Sequence, residues 1–288
     1  MSNLERNAAG FAATMTSAET AAIDAGLRAY MLRVYIYMVI GLALTGVSAL
    51  AVYLLSVTDD VANASYVIRA GRVIPIPAGL AVQSRDVLLT DIGHLVLVSP
   101  LKWVIIFAPL ALVFGRSFGA SRLRPATAQA LFWLYATLVG LSLAAIFLAY
   151  THTSITRVFF IAAASFGALS LWAYTTQRDL SALGSLAVMG LFGGILASLV
   201  NLSMSGSTPL QWAISVVGVA VFSALTASDT QRLKNEYLYG ALGGDVAERS
   251  AILGALSLYL DFIYLFTLLL QVLDSGAGDD RRWEKPKT

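Results

Sequence analysis

The 288-residue chain has no cysteine, only two histidines, and few charges: 19 Lys and Arg with 17 Asp and Glu make up 12% of it. Without thiols, disulfides, thiolate metal centres and dithiol redox sites are all excluded. A soluble domain of this size carries about a quarter of its residues as charged side chains. Half that load leaves too little charge to cover a globular surface in water, which argues against a soluble enzyme. The formal net charge of +2 is too balanced for an electrostatic footprint on nucleic acid. Disorder is excluded too, because 58% of the residues are hydrophobic and disordered chains are poor in apolar side chains. With a mean hydropathy of +0.74, what remains is a polytopic membrane protein.

What the chain does have is long uncharged runs. Val34–Thr58 contains no charge, Ile92–Gly115 only Lys102 and His94, and Pro125–Thr156 only His152. Val158–Gln177 and Leu180–Ser228 contain none, and Ser250–Leu273 holds Asp261 alone. A spanning helix needs about 20 apolar residues, each rising about 1.5 Å. Leu180–Ser228 is long enough for two, divided by the polar, Gly- and Pro-bearing stretch NLSMSGSTP at Asn201–Pro209. The expectation is an all-α membrane protein with seven transmembrane helices, over residues 34–56, 93–115, 127–150, 156–177, 181–202, 209–229 and 249–273.

Around these spans the chain divides into a polar segment (1–33), the transmembrane domain (34–273) with an enlarged first loop (57–92), and a charged tail (274–288). Thr16 and Glu19 have the spacing of a capping box, which predicts a short amphipathic helix through Arg28 and Arg33 leading into the first span. The run is too long for a cleaved signal peptide and lacks a small-residue exit. Within the loop, Tyr66–Val82 alternates enough to suggest a short hairpin, although Pro75 and Pro77 weaken a strand. Trp103, Tyr150, Trp172, Tyr174 and Trp212 lie near span ends, as interfacial aromatics do. Gly190 and Gly194 have the G-x-x-x-G spacing that lets helices approach closely. No internal repeat is visible, which counts against a transporter built from two halves.

Lys and Arg set the orientation. With the N-terminus cytoplasmic, that side holds Arg6, Arg28, Arg33, Arg116, Arg122, Arg124, Arg178, Arg232, Lys234 and Arg249, whereas the opposite short loops hold only Arg157. The basic tail then falls outside, against the rule, diluted by Asp279, Asp280 and Glu284.

Asp261 is the informative residue, eleven positions inside an otherwise uncharged span. An ionised Asp at the centre of a membrane helix costs about 2.5–3.5 kcal/mol on insertion scales, so it faces the bundle interior or a watery cavity and marks a functional site. Asp229 closes the preceding uncharged run. If the sixth helix continues to Tyr237, Asp229 lies roughly 12 Å short of its end, and a last helix starting at Asp245–Glu248 returns Asp261 roughly 20 Å into the membrane. Gly240, Gly243 and Gly244 supply the turn. The antiparallel hairpin could then set the two carboxylates side by side. Such a pair, poorly hydrated, cannot ionise twice cheaply and titrates as a unit in two steps. Deprotonated, it attracts a hard cation; oxygen ligands without sulfur favour Ca²⁺ over zinc, bound transiently by so few ligands. Arg116 ends the second span on the side of Asp229, followed by Arg122 and Arg124. Lys102 snorkels to the interface, and His94 and His152 fall at the far membrane face.

At these residues the chain resembles the transmembrane Bax inhibitor motif family (Bax inhibitor-1-like), as a bacterial member. Asp229-Thr-Gln-Arg-Leu-Lys followed by Ala255-Leu-Ser-Leu-Tyr-Leu-Asp-Phe-Ile263 looks like the family's C-terminal signature, with support from ALFWLYATLVGLS (Ala130–Ser142) and YTTQRDLSAL (Tyr174–Leu183). The similarity runs from Arg28 to Leu273 apart from the enlarged loop. Tyr264 departs from the commonest form, in which Asn is frequent. The resemblance implies a seven-helix fold whose C-terminal helix is central and surrounded by the other six. It also implies a pH-sensitive calcium leak in the membrane with Asp229 and Asp261 as the sensor, and an arginine contacting the pair. Counting through the second span makes that arginine Arg116, while counting back from the third makes it Arg122.

These readings predict a multi-pass inner-membrane protein, not an enzyme, with Ca²⁺ as permeating ion and no tightly bound cofactor. Its partners would be the bilayer, Ca²⁺ and H⁺. The main alternative is a non-conducting regulator or partner of membrane proteases or stress pathways. An intramembrane aspartyl protease fits poorly, because Leu242-Gly-Gly-Asp245 lacks the first glycine of a Gly-x-Gly-Asp pattern. A retinal protein would need a lysine in the last span, which has none.

Overall fold

Lipid offers a backbone no hydrogen-bond partners, so an apolar run long enough to cross it folds as a helix that satisfies its own N–H and C=O groups. A computed structural model describes residues 17–58, 60, 63–69, 72–76, 87–100, 124–203, 207–239 and 244–280. Six long helices carry it: α1 (Ser17–Ser56), α2 (Pro125–Leu143), α3 (His152–Thr175), α4 (Ser181–Ser203), α5 (Thr208–Tyr239) and α6 (Gly244–Asp280). All six, α2 with its continuation Ile146–Ala149, are long and apolar enough to cross a membrane. They correspond to six of the seven expected spans. The remaining one, 93–115, lies outside the described residues from position 101, and Lys102, Arg116 and Arg122 with it.

Several boundaries differ from the expectation, each for a local reason. The separate amphipathic helix and first span are one helix. A single buried stripe of Leu27, Tyr30, Met31, Val34 and Met38 runs through both at helical spacing, so nothing stops the helix at Arg33. The span expected at 127–150 is interrupted by a turn at 144–145. Residues 93–98 do not open a long helix: a short turn (Asp91–Gly93) continues into a π-helical turn (His94–Val98). Thr90 caps it by accepting from Gly93 N–H at 3.1 Å while donating to the Leu55 carbonyl at 2.7 Å.

The enlarged loop corrects the all-α expectation with a small antiparallel sheet. Its strands are β1 (Val57–Thr58), β2 (Tyr66–Arg69), β3 (Arg72–Pro75) and β4 (Val87–Leu89), in the order β1-β4-β2-β3. The expected hairpin is present but shorter, pairing Tyr66 with Pro75 through Arg69 with Arg72. Proline terminates the strand because it has no N–H to give the ladder.

The α3–α4 connection is clamped from α5. Gln231 donates from Nε2 to the Arg178 carbonyl and accepts at Oε1 from Leu180 N–H, both at 2.7 Å. In the same loop the Ser181 hydroxyl and backbone N–H bind the Asp179 carboxylate and hold it below the usual range.

Side-chain contacts fix the helix directions. Thr45 donates to the Ala136 carbonyl at 2.9 Å, Ser48 reaches the Thr137 carbonyl at 3.3 Å, and Tyr53 packs on Phe147. Positions on α1 and α2 climb together, so these neighbours are parallel. On α5 and α6 the pairs Ser215–Gln271, Phe222–Tyr264, Asp229–Ser257 and Glu236–Ser250 (the last through a 2.8 Å hydrogen bond) run in opposite senses. These two are antiparallel.

The last helix is the most enclosed. In its most apolar stretch 61% of residues are buried, against 11–33% in the other five. It packs against α1, α2, α3 and α5, whereas α4 packs on α5. At its centre Tyr259 is fully buried, its hydroxyl 2.6 Å from Thr45 Oγ1. With Tyr259 donating, Thr45 donates to the Gly41 and Ala136 carbonyls, tying three helices at one point.

Candidate functional site

The antiparallel register of α5 and α6 builds the site. Asp229 sits opposite Ser257, whose hydroxyl donates to its Oδ2. One turn further, between that contact and the stacked Phe222–Tyr264 rings, Leu225 comes level with Asp261. Ser257 and Asp261 are four residues apart on one helix, a spacing that puts side chains about 5–6 Å apart on the same face. The carboxylates are therefore not directly side by side, the closest arrangement the hairpin allowed. They are offset by a turn with Ser257 between them, because α5 runs to Tyr239 and α6 begins at Gly244.

Their environments differ. The Asp229 side chain is 16% exposed, and Arg232 Nη2, three residues along the same helix, lies 3.6 Å from its Oδ2. Arg232 also reaches Ser257 Oγ at 3.4 Å. Asp261 is 6% exposed, and its buried Oδ2 has no hydrogen-bond partner among the described residues. Among the described residues, the charges that act on it are Asp229 and Arg232. A buried carboxylate oxygen without a partner is costly, and in a native protein it calls for an explanation.

Each carboxylate opens on a different cavity. One of about 570 Å³ is lined by Asp229, Arg232, Asn235, Ser228 and Ser181, at the end of the bundle where α5 finishes and α6 begins. The other, about 590 Å³, lies deeper between α4, α5 and α6 and is lined by Asp261, Ser257, Tyr264 and the glycines 190, 194 and 218. Leu225 lines both.

Asp229 and Asp261 are thus brought into one site, and Arg232 is the arginine that joins them among the described residues. In the sequence Arg232 is marked only by its i,i+3 spacing from Asp229, a spacing that a charge at a helix end shares by chance. Arg116 and Arg122 lie outside the described residues. His152 packs against Tyr53 and Phe147, and His94 stacks on Tyr66 with centroids 4.0 Å apart, both at the far end of the helices. Among the described residues no three or more His, Asp or Glu side chains gather as a metal site. Asp229 and Asp261 would offer a cation two carboxylates and a serine hydroxyl.

Fold and site together define a polytopic helical membrane protein with one buried and one partly exposed carboxylate at the interface of its last two helices. Residues 27–278 match the family model described as Inhibitor of apoptosis-promoting Bax1, and the chain belongs to this family. It is 40% identical over 258 residues to an uncharacterized protein of Rickettsia prowazekii (strain Madrid E), covering 90% of this chain and 94% of that one. It is 39% identical over 255 residues to the inner membrane protein YbhL of Escherichia coli (strain K12), covering 86% and 92%. An uncharacterized protein of Caulobacter vibrioides is 40% identical over 250 residues, covering 86% and 89%.

Proposed function

We propose that this protein is a pH-sensitive cation leak, with Ca²⁺ as permeating ion, gated by the Asp229–Asp261 pair. The observation that carries this reading is the Asp261 carboxylate, with one oxygen buried and unpartnered, facing a cavity one turn from a second carboxylate. Deprotonated, the pair attracts a cation into a region where lipid would exclude it. Protonated, it loses that attraction, so conduction rises as the pair gives up protons. Arg232 competes with the cation for Asp229. Arg116 or Arg122, implied by family resemblance, would act in the same way. The role is not enzymatic, and Ca²⁺ is cargo rather than a resident cofactor.

The architecture proposed around the pair is seven helices with the last one central, in the inner membrane, N-terminus cytoplasmic. Its support is connectivity. The chain passes from Gly93, packed against Ser56 at the end of α1, to Arg124 at the start of a helix parallel to α1, and parallel neighbours that both cross call for a further crossing between them. An inner-membrane site agrees with the name of the YbhL relative.

The test is calcium flux into dye-loaded liposomes containing the purified protein, between pH 6 and 8. The wild type is expected to conduct more at pH 8 than at pH 6, and Asp261→Asn and Asp229→Asn to flatten that dependence. Equal fluxes for wild type and Asp261→Asn at every pH would remove the gating role. A wild type without flux would favour a non-conducting membrane partner instead.

A further inference from the structure

A cavity of about 1060 Å³ runs between α1 and α3, with Phe262 of α6 at its floor. It is larger than either cavity at the aspartates, and neither Asp229 nor Asp261 lines it. Its inner wall is firmly built. Phe159 and Phe166 each meet Phe262 edge-on, with ring centroids 5.7 Å apart. The Tyr35 hydroxyl bonds Ser170, which bonds Thr230 at 2.9 Å, so the hydroxyls of the wall are paired with one another. Two glycines keep the outer part open. A Cβ built on Gly46 of α1 or on Gly167 of α3, both lining residues, meets nothing within 4 Å. Leu32, Val47 and Leu171 also line the groove and are 60% exposed or more, which turns its mouth towards lipid.

The dimensions suit a hydrocarbon chain. From Arg28 to Val47 the groove follows α1 for nineteen residues, about 28 Å at the rise of a helix and close to the thickness of a bilayer core, about 30 Å. A helix about 10 Å across would need on the order of 2,000 Å³ over that length, about twice what the groove offers. A smaller cavity of about 270 Å³, sharing Leu42, Gly46, Phe159 and Phe262, carries the apolar surface on towards Phe147. The two ends differ in charge. Arg28 is the one charged residue lining either cavity. It is exposed and forms no ion pair among the described residues. Tyr174 lines the same end, and Lys234 lies 5.6 Å from its ring centroid and donates to its carbonyl at 2.8 Å. Asp24, one turn before Arg28, is exposed and outside the lining. A guanidinium recognises phosphate through paired N–H donors. An unpaired one at the end of an apolar groove complements an anion that carries hydrocarbon.

We propose that the groove between α1 and α3 binds an acidic phospholipid from the leaflet on the Arg28 side, with its phosphate at Arg28 and one acyl chain lying along Gly46 and Gly167. The site stands apart from the leak reading, because no residue of the carboxylate pair lines it.

Native mass spectrometry of the delipidated full chain in detergent, titrated with phosphatidylglycerol or with phosphatidylcholine of the same acyl chains, tests this. The wild type is expected to hold one phosphatidylglycerol and to prefer it about fivefold, as one basic residue near an anionic lipid surface gives. Arg28→Gln should abolish that preference. Arg33→Gln, also exposed on α1 but outside the lining, should keep it. Gly46→Leu and Gly167→Leu should each displace roughly two methylenes and cut binding of both lipids by about tenfold, with Gly193→Leu on α4 unchanged. All variants should elute as the wild type does on size exclusion, and Arg28→Gln, at an exposed position, carries the test if a leucine variant fails to fold. Equal binding of the two lipids by the wild type, or loss of the preference in Arg33→Gln as in Arg28→Gln, overturns the phosphate site. Wild-type binding by both leucine variants overturns the groove. A wild-type dimer that Gly167→Leu separates gives the groove to a second copy and overturns the lipid.

Discussion

Ser257 shows how one hydroxyl decides the character of the pair. It donates to Asp229, accepts at long range from Arg232, and separates Asp229 from Asp261. A hydrogen bond to a charged group contributes about 1.5–3 kcal/mol, whereas an ion pair to an exposed arginine gives about 0.2–1 kcal/mol. Arg232 is 62% exposed, so the serine holds Asp229 more firmly than the arginine does. Ser257→Ala should therefore destabilise the detergent-solubilised protein by about 1–2 kcal/mol, more than Arg232→Ala. Denaturant unfolding of both variants measures this, and the reverse order would refute it. The aspartates were legible in the sequence because charge is scarce in these spans. Ser257 was not. Most hydroxyls in these helices bond to the carbonyl three or four residues back, as those of Thr137, Ser198 and Thr226 do, and only the neighbouring helix shows which one reaches across.

At the scale of the element, close approach of helices sets the frame that holds the site. A Cβ on Gly140 would fall 1.8 Å from Ser48 Oγ and 2.5 Å from the Thr45 carbonyl oxygen. The serine can rotate away, but a backbone oxygen cannot, so α1 and α2 would have to separate. Gly140→Ala should cost about 1–3 kcal/mol, the usual penalty for overpacking. At Gly167, where a Cβ meets nothing within 4 Å, alanine should be neutral or stabilise by up to about 1 kcal/mol through helix propensity. Equal unfolding midpoints for the two variants would refute this account. Helix existence was readable from uncharged runs, but helix ends were not. Nothing in composition separates the leader of α1 from its membrane portion, and the turn at 144–145 carries no proline or polar break.

For the whole molecule, the seven crossings proposed above put the two ends of the chain on opposite sides of the membrane. Reporters fused to the two ends should then fall on opposite sides of the membrane, with the N-terminal one cytoplasmic. Both on one side would refute seven crossings. The apolar outer face also makes sense only at this scale: Leu186, Met189, Phe192, Leu196 and Leu202 are each more than 60% exposed. On a water-soluble protein such a face would drive association, while lipid covers it without cost.

By itself the sequence determined the medium, most of the helices, and the two residues worth asking about. These depend on composition and on runs along the chain, and a charge in an apolar run is visible without knowing its neighbours. Tertiary structure alone decided how those residues meet: the one-turn offset, Ser257 between the carboxylates, Arg232 reaching both Asp229 and Ser257, and Leu225 lining the cavities on both sides. Each depends on the register between two helices, and register comes from side-chain packing across an interface whose partner positions the linear chain does not specify.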